Sequence, residues 1–295
     1  MGRHVLAHGG PVLPETAAIS YCEDVTRREA KNFWYGIRLL PTPKRRALAA
    51  VYAMARRIDD IGDGALPVAE KTAALDEVSA SLRTLDASAS DPVTAALGQV
   101  QRVCRLPLDA FDSLVRGVRM DVDEATYQTV DDLVPYCRCV AGSVGRLSLA
   151  VFMIGEDRDT TAEARMADDL GVALQLTNIV RDVREDLEMG RVYLPAADLD
   201  RFGVGADGLR VPSEAAAALI RFEAARADEW FERGLRLLPR LDRRSAACVG
   251  AMAGIYHQLL HRIARHPDEI FRGRVSLPAA KKLLVAARAL VGAGV

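Results

Sequence analysis

The stretch Leu170-Gly-Val-Ala-Leu174-Gln175-Leu176-Thr-Asn178-Ile179-Val180-Arg181-Asp182-Val183-Arg-Glu185-Asp186-Leu187 decides how this chain folds. Its apolar residues (Leu170, Leu174, Leu176, Ile179, Val180, Val183, Leu187) recur every three or four positions, the period of a helix and not of a strand. Gln175, Asn178, Asp182 and Asp186 step by three, four and four, so they stand on one line of that helix. A solvent-facing line usually collects Lys and Glu. Gln, Asn and two Asp on an otherwise apolar helix predict the lining of a cavity.

The same period runs outward through the chain. It predicts helices over about 19–40, 43–61, 68–87, 92–104, 107–121, 130–154, 160–188, 213–238, 242–265 and 278–291. Pro41 stops the first, and Thr42-Pro43 supplies an N-cap and first-turn proline for the second. Asp91-Pro92, Leu106-Pro107, Gly155, Gly190, Pro195, Pro212 and Pro267 punctuate the rest, and Gly203 to Gly208 reads as a loop. Residues 1–18 are predicted to be a flexible tail and 19–295 a single all-α helical bundle.

Of the 295 residues, 50% are hydrophobic and 27% charged; 39 Lys+Arg against 40 Asp+Glu leave a formal charge of −1. This excludes a disordered chain and gives no electrostatic support to a nucleic-acid partner. The five cysteines (Cys22, Cys104, Cys137, Cys139, Cys248) form no disulfide framework or zinc pattern and predict reduced, mostly buried thiols. No secretory core is seen. The apolar tail Leu283–Val295 is 13 residues long and interrupted by Arg288, too short to span a bilayer. The expectation is a cytoplasmic protein, at most peripheral to the inner face of the cell membrane.

A second acidic cluster, Arg56-Arg57-Ile58-Asp59-Asp60-Ile61-Gly62-Asp63, closes a helix whose other face carries Leu48, Val51, Ala55 and Ile58. Asp59 and Asp63 share a face, with Arg56 and Tyr52 one and two turns back. Carboxylates about 5 Å apart repel by roughly 3 kcal/mol at an effective dielectric near 20. Asp is a poor helix former and sits badly at a negative helix C-terminus. Local choices that oppose stability tend to mark functional sites. A hard divalent cation relieves the repulsion, and Mg²⁺ takes one or two carboxylates with water and substrate phosphate oxygens. Two such clusters facing each other would hold several Mg²⁺ ions against a diphosphate.

With these residues the chain resembles the squalene/phytoene synthase family, the head-to-head prenyl synthases. The resemblance spans about Tyr21 to Val275 and rests on four motifs in order. They are Asn32-Phe33-Trp34-Tyr35-Gly36-Ile37-Arg38-Leu39-Leu40-Pro41, Tyr52 to Asp63, Tyr136-Cys-Arg-Cys-Val140-Ala141-Gly142-Ser143-Val144-Gly145, and Gln175 to Asp186 running on to Gly190-Arg191-Val192-Tyr193-Leu194-Pro195. Arg138 and Cys139 stand where many relatives have Tyr or Gly, a departure expected to affect tail fit. Tyr21-Cys22-Glu23 with Arg38 to Arg46 looks most like the bacterial hopanoid-pathway members that make presqualene diphosphate.

The resemblance implies a class I isoprenoid synthase bundle with a central cavity. It implies a Mg²⁺-dependent prenyltransferase condensing two farnesyl diphosphates to presqualene diphosphate, a precursor of squalene and hopanoids. Squalene, dehydrosqualene or phytoene formation is the alternative within the family, and a non-catalytic prenyl-binding or assembly relative is the alternative outside it. Metal would be held by Asp59, Asp60, Asp63, Asn178, Asp182 and Asp186. Tyr52, Arg56, Tyr136, Arg181 and Tyr193 would serve catalysis. Phe33, Arg56, Gln175, Asn178, Arg181, Tyr256, Arg274, Val140, Ala141 and Gly145 would contact substrate. NADPH is expected not to be required. Prenyl diphosphates are the expected partners, with peripheral membrane contact for product handover and other pathway enzymes as further candidates.

Two features stand outside this reading. His257 and His261 are four apart on a helix, but no third ligand stands near them in the chain, so they read as a polar helix face. Lys44-Arg45-Arg46 either flanks a helix start or touches anionic lipid.

Overall fold

The computed structural model describes residue 13 and residues 15–292. Most of the expected tail lies outside these residues. Within them, Leu13 is buried, with its carbonyl accepting from Arg46, and the first helix starts at Ala17 under a Thr16 N-cap.

The helices are α1 (Ala17–Glu29), α2 (Lys31–Ile37), α3 (Thr42–Asp63), α4 (Val68–Arg83), α5 (Pro92–Val103), α6 (Leu108–Val122), α7 (Val130–Cys137), α8 (Ser143–Phe152), α9 (Thr161–Glu188), α10 (Ala196–Arg201), α11 (Glu214–Gly234), α12 (Arg243–Arg265) and α13 (Ala279–Leu290). No strand occurs among the described residues. α9 is the axis of the bundle: it packs against α8, α11 and α12, while α3 packs against α1, α5, α6 and α8. Side chains such as Met54, Ile58, Phe111, Leu114, Leu147 and Phe231 fill the core. Each such side chain contributes about 1.5–3 kcal/mol by leaving water.

Starts and stops follow local chemistry. Asp91, Ser213 and Asp242 cap α5, α11 and α12 through side-chain oxygens. Thr129 and Asp132 form a reciprocal capping box on α7. The Lys71 ammonium donates to the Gly62 carbonyl at 2.6 Å, which offsets the negative end of α3.

Two expected helices are interrupted. The first breaks after Ala30, where Lys31 takes a left-handed φ of 37°. The break turns α2 against α12, where Gly36 lies so close to the Cys248 carbonyl that a Cβ would stand 2.5 Å from it. The helix expected over 130–154 holds Pro135 and opens into a π-helical turn at Arg138–Gly142 between α7 and α8. Here the backbones of α8 and α9 nearly touch. A Cβ on Gly171 would stand 2.5 Å from the Ala141 carbonyl, and one on Gly145 would collide with that of Ala167.

The basic run is absorbed into the fold. Lys44 pairs with Asp242 at 2.7 Å, Arg45 with Glu23 at 3.1 Å, and Arg46 with Glu15. It therefore knits α3 to its neighbours, and the lipid reading has no free cation there. All five cysteines are free, and all but Cys139 are buried. No helix among the described residues is long and apolar enough to cross a membrane.

Candidate active site

α3 ends in Asp59, Asp60 and Asp63, and α9 carries Asn178, Asp182 and Asp186 in its second half. The fold brings these ends together. Gly190, at φ 78°, takes the left-handed position after α9, and the Arg191 N–H returns to the Asp186 carbonyl at 2.8 Å. That turn sends the Arg191 guanidinium across to Asp63, 3.1 Å away. The two acidic clusters face one another and share this cation.

Asp121 of α6 stands between them. It accepts from the Tyr193 hydroxyl at 2.7 Å and the Tyr136 hydroxyl at 3.1 Å. Burial raises its carboxyl and Asp63 adds to this; the two tyrosines and Arg191 oppose it. Burial and then Asp63 push Asp59 up to about 7, with Asp60 and Asp121 adding and Arg56 opposing. Burial and then Asp182 push Asp186 up to about 7, with Asp121 and Glu185 adding and Arg191 opposing. Asp59 nevertheless keeps accessible surface. Asp59 is thus crowded by neighbouring carboxylates while solvent still reaches it.

Sequence reading missed Asp121 and Arg191 as members of the site. Asp121 had a signal: it falls on the line of Leu114 and Val118, where an apolar residue belongs. Arg191 lies in the fourth motif, but nothing in the sequence aims it at Asp63, since its direction depends on the turn at Gly190.

The remaining cations surround the second cluster. Arg181 is buried and forks onto Asp182, with Nε 2.7 Å from Oδ1. Burial works against its charge, but Asp182 and Tyr256 hold it above the ordinary arginine value. Arg274 approaches Asp182 at 3.4 Å and Glu185 at 3.8 Å. On α3, Arg56 pairs with Asp60 at 2.6 Å. Asp60 is thus occupied by a neighbour on its own helix, whereas Asp59 and Asp63 face the other cluster.

Aromatic rings form two groups. Tyr127, Tyr136 and Tyr193 stack around Asp121, with Tyr136 and Tyr193 centroids 5.3 Å apart. Phe33 of α2 stacks on Tyr256 of α12 at 5.5 Å. Tyr52 lies one turn before Arg56, and burial raises its hydroxyl to about 12. Val140 and Ala141 lie in the π turn against Gly117 and Gly171, and Gly145 lies against α9. The structure thus places these three in helix contacts. Arg138 is drawn to Asp168 and Asp169 of α9 and over the Trp230 ring at 5.3 Å.

The donor set fits a hard dication. Asp59, Asp63 and Asp186 offer carboxylate oxygens, Asp182 could offer only lone pairs left over from Arg181 and Arg274, and Gln175 accepts from the Asn178 amide at 3.3 Å, which leaves Asn178 Oδ1 free. That oxygen is buried and has no hydrogen-bond partner among the described residues. A set of oxygens without nitrogen or sulfur, with one orphaned acceptor in line, suits Mg²⁺.

Residues 26–281 match the family model described as squalene/phytoene synthase. The phytoene synthase of Mycobacterium tuberculosis is 48% identical over 273 residues, covering 91% of this chain and 89% of that protein. The 15-cis-phytoene synthase of Synechocystis is 35% identical, covering 93% and 85%. Among solved structures, a dehydrosqualene synthase in complex with ligand superposes with a TM-score of 0.84 at 29% identity, covering 93% of this chain and 96% of that one. A squalene synthase from Alicyclobacillus acidocaldarius superposes with a TM-score of 0.77 at 32% identity, covering 88% and 95%.

Proposed function

The chain belongs to the squalene/phytoene synthase family of head-to-head prenyltransferases, and we propose that it joins two geranylgeranyl diphosphates into phytoene. The observation that carries the reaction is the meeting of the α3 and α9 carboxylates around Asp121, with Arg56, Arg181, Arg191 and Arg274 beside them. The C20 assignment draws its support from the 48% identity with a phytoene synthase over nine-tenths of both chains. Phytoene, an alternative within the family, is preferred to presqualene diphosphate on that identity.

Asp59, Asp63, Asn178, Asp182 and Asp186 would hold Mg²⁺, which when bound assists departure of diphosphate as a Lewis acid. The arginines orient phosphate oxygens through charge-assisted hydrogen bonds. The C1–O bond of one substrate breaks, and the double bond of the second supplies the electron pair for the new C–C bond. Loss of one proton closes a cyclopropane. The second diphosphate then leaves with the electron pair of its C–O bond, the cyclopropane opens as one of its bonds shifts to form the C1–C1' linkage, and loss of a second proton gives the central double bond. Both halves end in proton loss, so no reductant is consumed and NADPH is not required. Phe33 and Tyr52, both partly exposed, would offer ring faces to cationic carbon, while Tyr256 stacks on Phe33 and supports Arg181. Tyr136 and Tyr193 fix Asp121 between the clusters.

Two farnesyl diphosphates are the second reading, favoured by the 32% identity with a squalene synthase. Either product is a large apolar molecule. Exposed Leu283 and Leu284 beside Lys281, Lys282 and Arg288 give α13 the composition for peripheral contact with an anionic membrane.

Purified protein with Mg²⁺ is incubated separately with farnesyl and geranylgeranyl diphosphate, with and without NADPH, and the products are weighed by mass spectrometry. Phytoene from the C20 substrate without NADPH is expected. A C30 product alone moves the assignment to the second reading, and no product from either substrate defeats the enzymatic one.

A further inference from the structure

α11 and α12 bring together three side chains that lie far apart in the chain. Asp228 stands on α11; His257 and His261 stand one turn apart on α12. The two histidines read from sequence as a polar helix face for want of a third ligand, and the fold supplies it. One ligand atom from each residue lies within 4.8 Å of the other two. Both Nε2 atoms converge on the same oxygen, Asp228 Oδ1, at 2.5 Å from His257 and 3.4 Å from His261. The imidazole centroids are 4.2 Å apart, and the buried Phe231 ring packs against His257 at 4.9 Å.

The donor set differs in kind from that of the acidic centre. Two imidazole nitrogens and one carboxylate oxygen suit Zn²⁺, Co²⁺, Ni²⁺ or Cu²⁺, which outbind Mg²⁺ at such ligands. A tetrahedral zinc about 2.0–2.1 Å from each ligand separates neighbouring ligand atoms by about 3.3 Å. The His261–Asp228 pair already has that spacing, and the His257–Asp228 pair reaches it by opening less than about 1 Å. Asp228 and His257 are half-buried and His261 is exposed, so solvent reaches the site and can complete the coordination.

We infer that Asp228, His257 and His261 form a site for one transition-metal dication that clips α11 to α12, separate from the carboxylate centre. Through His257 the ion would fix the register of α12 next to Tyr256, whose ring stacks on Phe33. It takes no part in the chemistry of prenyl transfer.

Tag-free, EDTA-stripped protein is titrated with Co²⁺ under excess Mg²⁺, followed by visible d–d absorption and calorimetry, with Zn²⁺ as competitor. One Co²⁺ per chain is expected, displaced by Zn²⁺. His261→Ala, His261→Gln and Asp228→Asn should each weaken binding by roughly tenfold or more. The double variant Asp59→Asn with Asp186→Asn should bind Co²⁺ as the parent does, and His261→Ala should keep parental product formation with Mg²⁺ and parental circular dichroism. The inference fails if no stoichiometric Co²⁺ binds. It also fails if binding survives both His261 variants or disappears with the two aspartates.

Discussion

Aspartates at the edge of the bundle and aspartates at the centre of the site live under opposite conditions. At the edge, Asp91 caps α5 and takes a two-pronged bond from Arg57, at 2.7 and 2.9 Å. The Arg57 hydrogen bond, with those from Thr94, outweighs burial and holds its carboxyl well below the usual range. Burial opposes the charge of Asp242 too, yet Lys44 and Ser245 donate to it and hold it at about 2. At the centre, Asp59 and Asp186 face other carboxylates and rise to about 7. Edge carboxylates stabilise the fold. Central ones oppose it, which is tolerable where a ligand supplies the missing positive charge.

The largest test of this contrast is turnover. Asp59→Ala and Asp182→Ala are each expected to cut product formation by at least about 10²- to 10³-fold, the scale for loss of one charge-stabilising group. Helical circular dichroism should stay unchanged. Full turnover in either variant would remove the central cluster from the chemistry.

Next comes stability, where the two regions should differ in sign. Asp91→Ala removes a cap and a partly exposed ion pair, and should cost about 1–2 kcal/mol, or roughly 2–8 °C in Tm. Asp59→Asn removes like-charge repulsion and should leave the metal-free Tm level or higher. Calorimetric scans of both variants in EDTA check the pair; equal losses would erase the distinction.

The pH dependence is a smaller effect. Asp59 and Asp186 have folded values near 7 against an ordinary 3.8, so between these limits the folded chain binds protons that the unfolded chain does not. Their contribution to metal-free stability therefore falls as pH rises from about 4 to about 7 and then levels. Mg²⁺ with diphosphate should accordingly raise Tm more at pH 8 than at pH 5.5. A shift that is larger at the lower pH contradicts this.

The smallest concerns Tyr127, whose hydroxyl is buried without a partner among the described residues while its neighbours Tyr136 and Tyr193 both donate to Asp121. Tyr127→Phe should be neutral or stabilising by up to about 1 kcal/mol, read from denaturant midpoints. Tyr193→Phe should be the more costly, because it leaves the half-buried Asp121 without its shorter hydrogen bond.

What could be read in advance divides along the same boundary. Helices α3, α5, α9 and α12 were legible because helical period acts among residues three and four positions apart; the cap expected from Thr42 is not made, since Thr42 is already the first residue of α3 and Pro41 precedes it. The break at Lys31 was not, because it serves the approach of Gly36 to α12, a contact more than two hundred positions away. The π turn had a local cause in Pro135, but its use, seating the Ala141 carbonyl against Gly171, is long-range. The Gln175 to Asp186 line stood out because polar groups on an apolar helix break the local pattern. Arg191 and Asp228 broke none, and each became informative only beside its partners.

By itself the sequence determined that the chain is helical, where most helices begin and end, and that two runs of aspartate carry more negative charge than their helices can settle alone. Only the tertiary structure decided that these runs face each other across Asp121, that Arg191 joins them, and that His257 and His261 meet an aspartate from α11. Helical period is set by neighbours three and four positions apart. The energy of a charge is set by whatever the folded chain brings within a few ångströms, at any distance in sequence.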